Sequence, residues 1–205
     1  SVVLCVLYIY TKEPMLKFDR DYLKYDKYLL SELATTGASM GLMLAIVDVG
    51  SVTLQSAVNS FGSSTITAHA TARKIDSIFM MPIGTLSATC STFSSQNFGA
   101  NRMDRVKKGI TSAIIVAFVW STIATILSFV CCDSISYAVT GTSDATILKT
   151  IKQYVTINVP FFYVLSILVI LRSTLQGIGK KIVPLSASII ELTSKFVAVG
   201  YIAPV

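Results

Sequence analysis

The 205-residue chain is 53% hydrophobic and only 14% charged, with a mean hydropathy of +0.67, a combination that excludes an ordinary soluble domain. Its net charge of +6 does not mark a nucleic-acid binder, because the basic residues alternate between separated segments instead of gathering with aromatics on one surface. No nucleic-acid partner is expected, and the lipid bilayer is the solvent that the composition fits.

Runs free of Asp, Glu, Lys and Arg cover 77–101, 109–132 and 153–171, and Ile182 to Val205 carries only Glu191 and Lys195. Such runs are too continuous for the alternation of a barrel strand and long enough for a helix of about 20 residues to cross the hydrocarbon core. The chain therefore reads as an all-α polytopic membrane protein. Its opening SVVLCVLYIY reads as the tail of a preceding transmembrane helix over residues 1–10. Residue 1 is Ser, no signal-peptide pattern follows, and the expectation is an internal piece of a larger protein.

Residues 11–29 form a crossover. Lys12 to Tyr28 interleaves Lys, Asp and Tyr, a pattern equally consistent with an amphipathic helix at the interface and with a solvated connector. After it, five spans fall at about 30–61, 66–97, 104–132, 146–178 and 182–203. Turn residues punctuate them at Asn59 to Gly62, Asn97 to Asn101, Thr140 to Thr142, and Gly177 with Gly179. The crossover, the loop with Arg102, Arg105, Lys107 and Lys108, and the loop with Lys180 and Lys181 are richest in bases. The alternate side holds only Arg73, Lys74, Lys149 and Lys152. The positive-inside rule then makes 11–29, 98–108 and 179–182 cytoplasmic, with the protein multi-pass in the plasma membrane.

On the first span, Asp48 is the one formal charge between Leu33 and Ala72. A carboxylate at that depth costs about 2.5–3.5 kcal/mol on insertion scales and marks a functional site by default. Offsets of 7 and 11 residues place Gln55 and Asn59 within an arc of about 40° around it, so one helix face carries a carboxylate and two amides. This face is expected to meet protein or a water-filled cavity.

The second span aligns Thr85, Thr89, Thr92 and Gln96 beside small residues, a pattern of close helix packing. The only histidine, His69, falls near its start and reads as a surface residue. The third span has only Ser, Thr and Trp120 as polar groups and reads as peripheral. On the fourth, Tyr154, Asn158, Arg172 and Gln176 project within about 80°, and Pro160 invites a bend. Asn158, Arg172 and Gln176 are cavity-lining candidates, with snorkelling as the alternative for Arg172. On the fifth, Glu191 and Lys195 have the i, i+4 order that favours an intrahelical pair, unless Glu191 faces the same cavity as Asp48 and binds a cation.

The four cysteines, Cys5, Cys90, Cys131 and Cys132, show no C-x-x-C spacing and no paired histidine. They read as core-filling thiols, and no metal site is expected. No G-x-S-x-G, H-E-x-x-H, Walker A or dinucleotide fingerprint is present, so the chain does not read as an enzyme and no cofactor is expected.

Three strings carry a resemblance. Gln96 to Asn101 (QNFGAN) with Arg105 and Gly109, Leu171 to Gly179 (LRSTLQGIG) with Pro184 and Glu191, and Leu54 to Gly62 with Ala72 to Ile75 resemble segments of the multidrug and toxic compound extrusion (MATE) family. The resemblance implies the C-terminal lobe of a two-lobed, twelve-helix exporter, lacking its last helix and partnered by an N-terminal lobe. It also implies antiport of a small cationic substrate, a drug or metabolite, against H+ or Na+ by alternating access. Some members use an acidic residue in the seventh helix, and Asp48 lies one residue from that position; their acid in the tenth helix has no counterpart in the apolar region around Leu165. Asp48, Gln55, Asn59 and Glu191 are thus the expected substrate- or ion-binding residues. The alternatives are a flippase for lipid-linked sugars of the same superfamily and a non-transporting scaffold.

Overall fold

The computed structural model describes residues 2–12, 25–141 and 144–202. Two units are distinguished, residues 1–38 and 39–205. In the first, helix α1 (Val2–Lys12) contains a Thr11 hydroxyl that donates to the Leu7 carbonyl at 2.8 Å. Helix α2 (Lys27–Asn59) starts there too, capped by Asp26, whose carboxylate accepts the Tyr28 and Leu29 N–H groups at 2.9 and 3.1 Å. The crossover between Lys12 and Tyr28, whose sequence fits an interfacial helix and a solvated connector equally, lies largely outside the described residues.

The second unit holds the rest of α2, then α3 (Ser63–Gly99), α4 (Met103–Thr140), α5 (Ala145–Asn158), a single 3-10 turn (Val159–Phe161), α6 (Phe162–Gly177) and α7 (Ile182–Ile202). The described residues contain no strand, as expected where every backbone donor must be satisfied without water. Among the described residues, four helical segments are long and apolar enough to cross a membrane: α2, α4, α5 with α6, and α7. The fifth long helix, α3, runs for 37 residues but is rich in Ser and Thr. It packs against α4, α5 and α6, so much of its surface meets protein and does not need apolar side chains.

Small residues make this packing close. The buried face of α4 reads Val106, Ala113, Ala117, Ser121, Ala124, Ser128, Cys132 and Ser136, a seam that from Ala113 onward repeats every three or four residues. Its opposite side exposes Ile115, Val119, Ile126, Phe129 and Val130. The third span is therefore peripheral on one side only, and its inner face is core. It also continues to Thr140 instead of ending near 132. Asp133 does not stop it, because its carboxylate stays exposed and pairs with Lys152 of α5 at 2.7 Å. Between helices in lipid, such contacts and hydrogen bonds replace the hydrophobic drive that water would supply. Examples are Trp120 Nε1 donating to the Phe79 carbonyl at 2.8 Å, Thr122 with Tyr163 at 2.9 Å, and Cys90 with Thr174 at 3.4 Å. Cys90, Cys131 and Cys132 are free thiols, and Cys90 and Cys132 are buried.

Prolines shape two helices. Pro82 lies inside α3, next to the carbonyl that Trp120 captures. Pro160 removes an N–H where α5 would continue, and the backbone tightens into the 3-10 turn before α6.

Both QNFGAN and LQGIG are helix terminators. At the end of α3, Asn101 has φ 56°, with Asn101 N–H bonded to Phe98 O and Arg102 N–H to Asn97 O. At the end of α6, Gly179 has φ 79°, with Gly179 N–H on Gln176 O and Lys180 N–H on Leu175 O. Each is a Schellman cap, with a residue that tolerates the left-handed region at the reversal. Gly177 serves differently. A Cβ there would sit 2.5 Å from the Ser91 backbone carbonyl oxygen, whereas one on Gly84 would meet nothing within 4 Å. We expect Gly177→Ala to lower the thermal unfolding midpoint of the detergent-purified protein, at a cost of about 1–3 kcal/mol from overpacking. Gly84→Ala should hold the midpoint or raise it, by up to about 1 kcal/mol from helix propensity.

Candidate functional site

In α2, Met43 and Gly50 are the two buried positions, seven residues apart and hence on one face. Met43 receives a hydrogen bond from Gln176 Nε2 at 3.2 Å. Gly50 gives its space to α7: a Cβ there would lie 2.7 Å from Lys195 Cδ and 3.2 Å from Leu192 Cδ1. Asp48 sits about 160° around the helix from this docking face. It is exposed and has no ion pair or hydrogen bond among the described residues. Below it on the same side, Gln55 Nε2 donates to Asn59 Oδ1 at 3.0 Å. The structure thus brings Gln55 and Asn59 together on the Asp48 face.

Glu191 belongs to another cluster. Lys195 reaches its carboxylate at 2.8 Å, the i, i+4 pair within α7, and Arg172 of α6 lies 3.8 Å from its other oxygen. Arg172 also donates to the buried Ser188 hydroxyl. Its Nε is buried without a partner. Two cations and one carboxylate are therefore held between α6 and α7, with the Lys195 stem laid on Gly50 of α2. A carboxylate already flanked by two cations is poorly disposed to take a third, and Glu191 does not converge with Asp48.

The face drawn through Tyr154, Asn158, Arg172 and Gln176 does not survive as one surface. The buried seam Ile151, Val155, Val159, Phe162, Ser166, Ile170 and Thr174 continues through the turn at Val159–Phe161, but the four polar residues lie at different depths and meet different helices. Gln176 goes to Met43 and Arg172 to α7, while Asn158 donates to Asp76 of α3.

This last contact opens a polar group that sequence reasoning missed. Asp76 accepts from Asn158 with one oxygen, and its other oxygen is buried without a partner. One face of α3 also carries His69, seven residues earlier. It is 7% exposed, with its ring edge-on to Tyr154 at 5.4 Å and Nε2 unpartnered. The expectation of a surface histidine is corrected. The helix starts at Ser63, so His69 is nearly two turns inside it, packed among Ala68, Ala72 and Tyr154. Asp76 escaped notice because it follows Arg73 and Lys74 and just precedes a charge-free run, which makes it look like a boundary residue. The available signal was the seven-residue spacing of His69 and Asp76 amid buried Ala and Ile.

With this geometry in place, comparison with known proteins is informative. The family model described as MatE matches residues 40–202, which takes in Asp48, the ion-pair cluster and the Asp76 group. The chain is also similar to a probable multidrug resistance protein, YoeA, of Bacillus subtilis (strain 168), with 29% identity over 133 residues. That match covers 63% of this chain and 29% of the relative, so the chain spans well under half the length of the curated protein it matches. An apolar, multi-pass helical architecture and a family match over most of its length agree: the chain belongs to the MatE family of multidrug and toxic compound extrusion transporters.

Proposed function

We propose that this chain serves as the C-terminal lobe of a plasma-membrane antiporter that exports cationic drugs or metabolites in exchange for H+ or Na+ by alternating access. Multidrug export is the activity that the name of the Bacillus relative carries, and a cationic substrate is what the chemistry of α2 favours. The observation behind this reading is Asp48, an exposed carboxylate without a partner among the described residues, on a helix apolar enough to cross a membrane. A charge in that position requires a counter-charge or water. Asp48 faces away from the contacts of α2 with α6 and α7, where an N-terminal lobe would supply the opposite wall of a cavity.

In this mechanism the coupling ion and the cationic substrate compete for Asp48, and Gln55 and Asn59 offer amides to whatever is bound. The loops at 98–108 and 179–182 face the cytoplasm, consistent with their basic residues. Arg172, Glu191 and Lys195 act as a structural clasp between α6 and α7, and the Lys195 stem seats α2 by way of Gly50.

Two experiments test these roles in the full-length transporter reconstituted in liposomes. Asp48→Asn should abolish gradient-driven efflux of a fluorescent cation while the purified variant keeps its yield and unfolding midpoint. Transport at the unaltered rate would remove Asp48 from the mechanism. For the clasp, Glu191→Gln alone leaves two cations facing each other and should lower the unfolding midpoint by several degrees, a loss of about 1–3 kcal/mol. Adding Lys195→Met should restore part of it, and strict additivity of the two changes would argue against the coupling.

A further inference from the structure

A groove descends the outer side of the α3–α4 pair, away from the polar residues discussed above. Its upper part, about 420 Å3, is lined by Leu86, Thr89, Phe93, Val116 and, at the mouth, Arg105 and Lys108. A continuation of about 410 Å3 shares Leu86, Thr89 and Val116 with it and reaches Pro82 and Trp120. Small residues keep the trough open. Gly109 lets the Phe93 ring lie where a Cβ would be, 2.6 Å from its nearest ring carbon, and Ala113 and Ala117 supply the floor.

The mouth is positive. Arg105 and Lys108 are three residues apart on α4 and share a face. The Arg105 guanidinium is poised 5.9 Å from the centre of the Phe93 ring. Asp104, the nearby acid, is held by Arg102 at 3.2 Å, so it does not neutralise the pair. From Lys108 to Trp120 the helix rises about 18 Å, close to the roughly 15 Å depth of one leaflet's hydrocarbon. The two bases lie in the first two turns of α4, at the level of the headgroups.

An apolar trough one leaflet deep, ending in two cations, is complementary to an amphiphile with an anionic head and a hydrocarbon tail. A cationic drug would be repelled at the mouth, and a free inorganic anion would leave the trough unused. We propose that this groove binds an anionic phospholipid, with one acyl chain between α3 and α4 and the phosphate on Arg105 and Lys108.

The test uses the full-length protein in detergent with added lipid, read by native mass spectrometry. Phosphatidylglycerol should remain bound under conditions that strip phosphatidylcholine. The double variant Arg105→Gln, Lys108→Gln should weaken phosphatidylglycerol binding roughly 10- to 30-fold, at about one kcal/mol per base. Lys107→Gln, which removes a neighbouring charge outside the groove lining, should leave it unchanged. Thr89→Phe, which fills the trough and keeps both bases, should also lose the lipid. Equal retention of the two lipids, equal loss with Lys107→Gln, or full retention with Thr89→Phe would overturn the proposal. So would displacement of the lipid by millimolar inorganic phosphate, which would reduce the site to a headgroup anion contact.

Discussion

Helices in hydrocarbon associate only as closely as their side chains allow, and in this protein the approach of α3 to α4, α5 and α6 governs the rest. Lipid tails are as apolar as leucine, so no gain from leaving water draws these helices together. Packing and hydrogen bonds must do so, and both strengthen when backbones come near. Gly177 lets α6 rest on the Ser91 carbonyl, and the Ala and Ser seam of α4 closes on the same bundle. The hydroxyls of Ser94, Ser121 and Ser128 are buried there without side-chain hydrogen-bond partners. Serine at these positions acts chiefly through its small size.

Around this bundle, α2 and α7 are attached by a few specific contacts, and these decide where charge goes. Lys195 needs room to lie against α2, and Gly50 provides it. Glu191 needs cations; its own helix supplies Lys195 and α6 supplies Arg172. Asp48, on the far side of α2, receives neither. A single helix thus separates an ion-pair cluster from a carboxylate that has no ion pair or hydrogen bond among the described residues. The Asp76 and His69 group, between α3 and α5, keeps unpartnered polar atoms beside a core of aliphatic and aromatic side chains.

The family strings acquire physical meaning from the same geometry. Asn97, Asn101, Arg105 and Gly109 stop α3, start α4 and set the Phe93 ring between them; Leu175 to Gly179 stop α6 and press it onto α3. These two caps make no hydrogen bond or ion pair to Asp48 or Glu191 among the described residues, so the likeness there reflects how helices are ended and packed. Other parts of the strings lie in the polar groups themselves: Arg172 and Glu191 in the ion-pair cluster, Gln55 and Asn59 on the Asp48 face.

Much of this architecture was legible in sequence. Charge-free runs and turn residues locate the helices, because hydropathy and backbone satisfaction are local demands that each segment meets by itself. The 40° arc of Asp48, Gln55 and Asn59 was legible for the same reason, since α2 continues unbroken through it. The grouping of Asn158, Arg172 and Gln176 into one cavity wall was not, because each meets a different helix, α3, α7 and α2 respectively, at a different depth. Nor was the burial of His69, which depends on Tyr154 arriving from a helix some eighty residues away. By itself the sequence determined that this protein is a bundle of membrane helices with a carboxylate set in one of them. Only the tertiary structure decided which polar groups meet, because partners for a charge in a bilayer come from neighbouring helices whose rotation and distance are set by contacts remote in the chain.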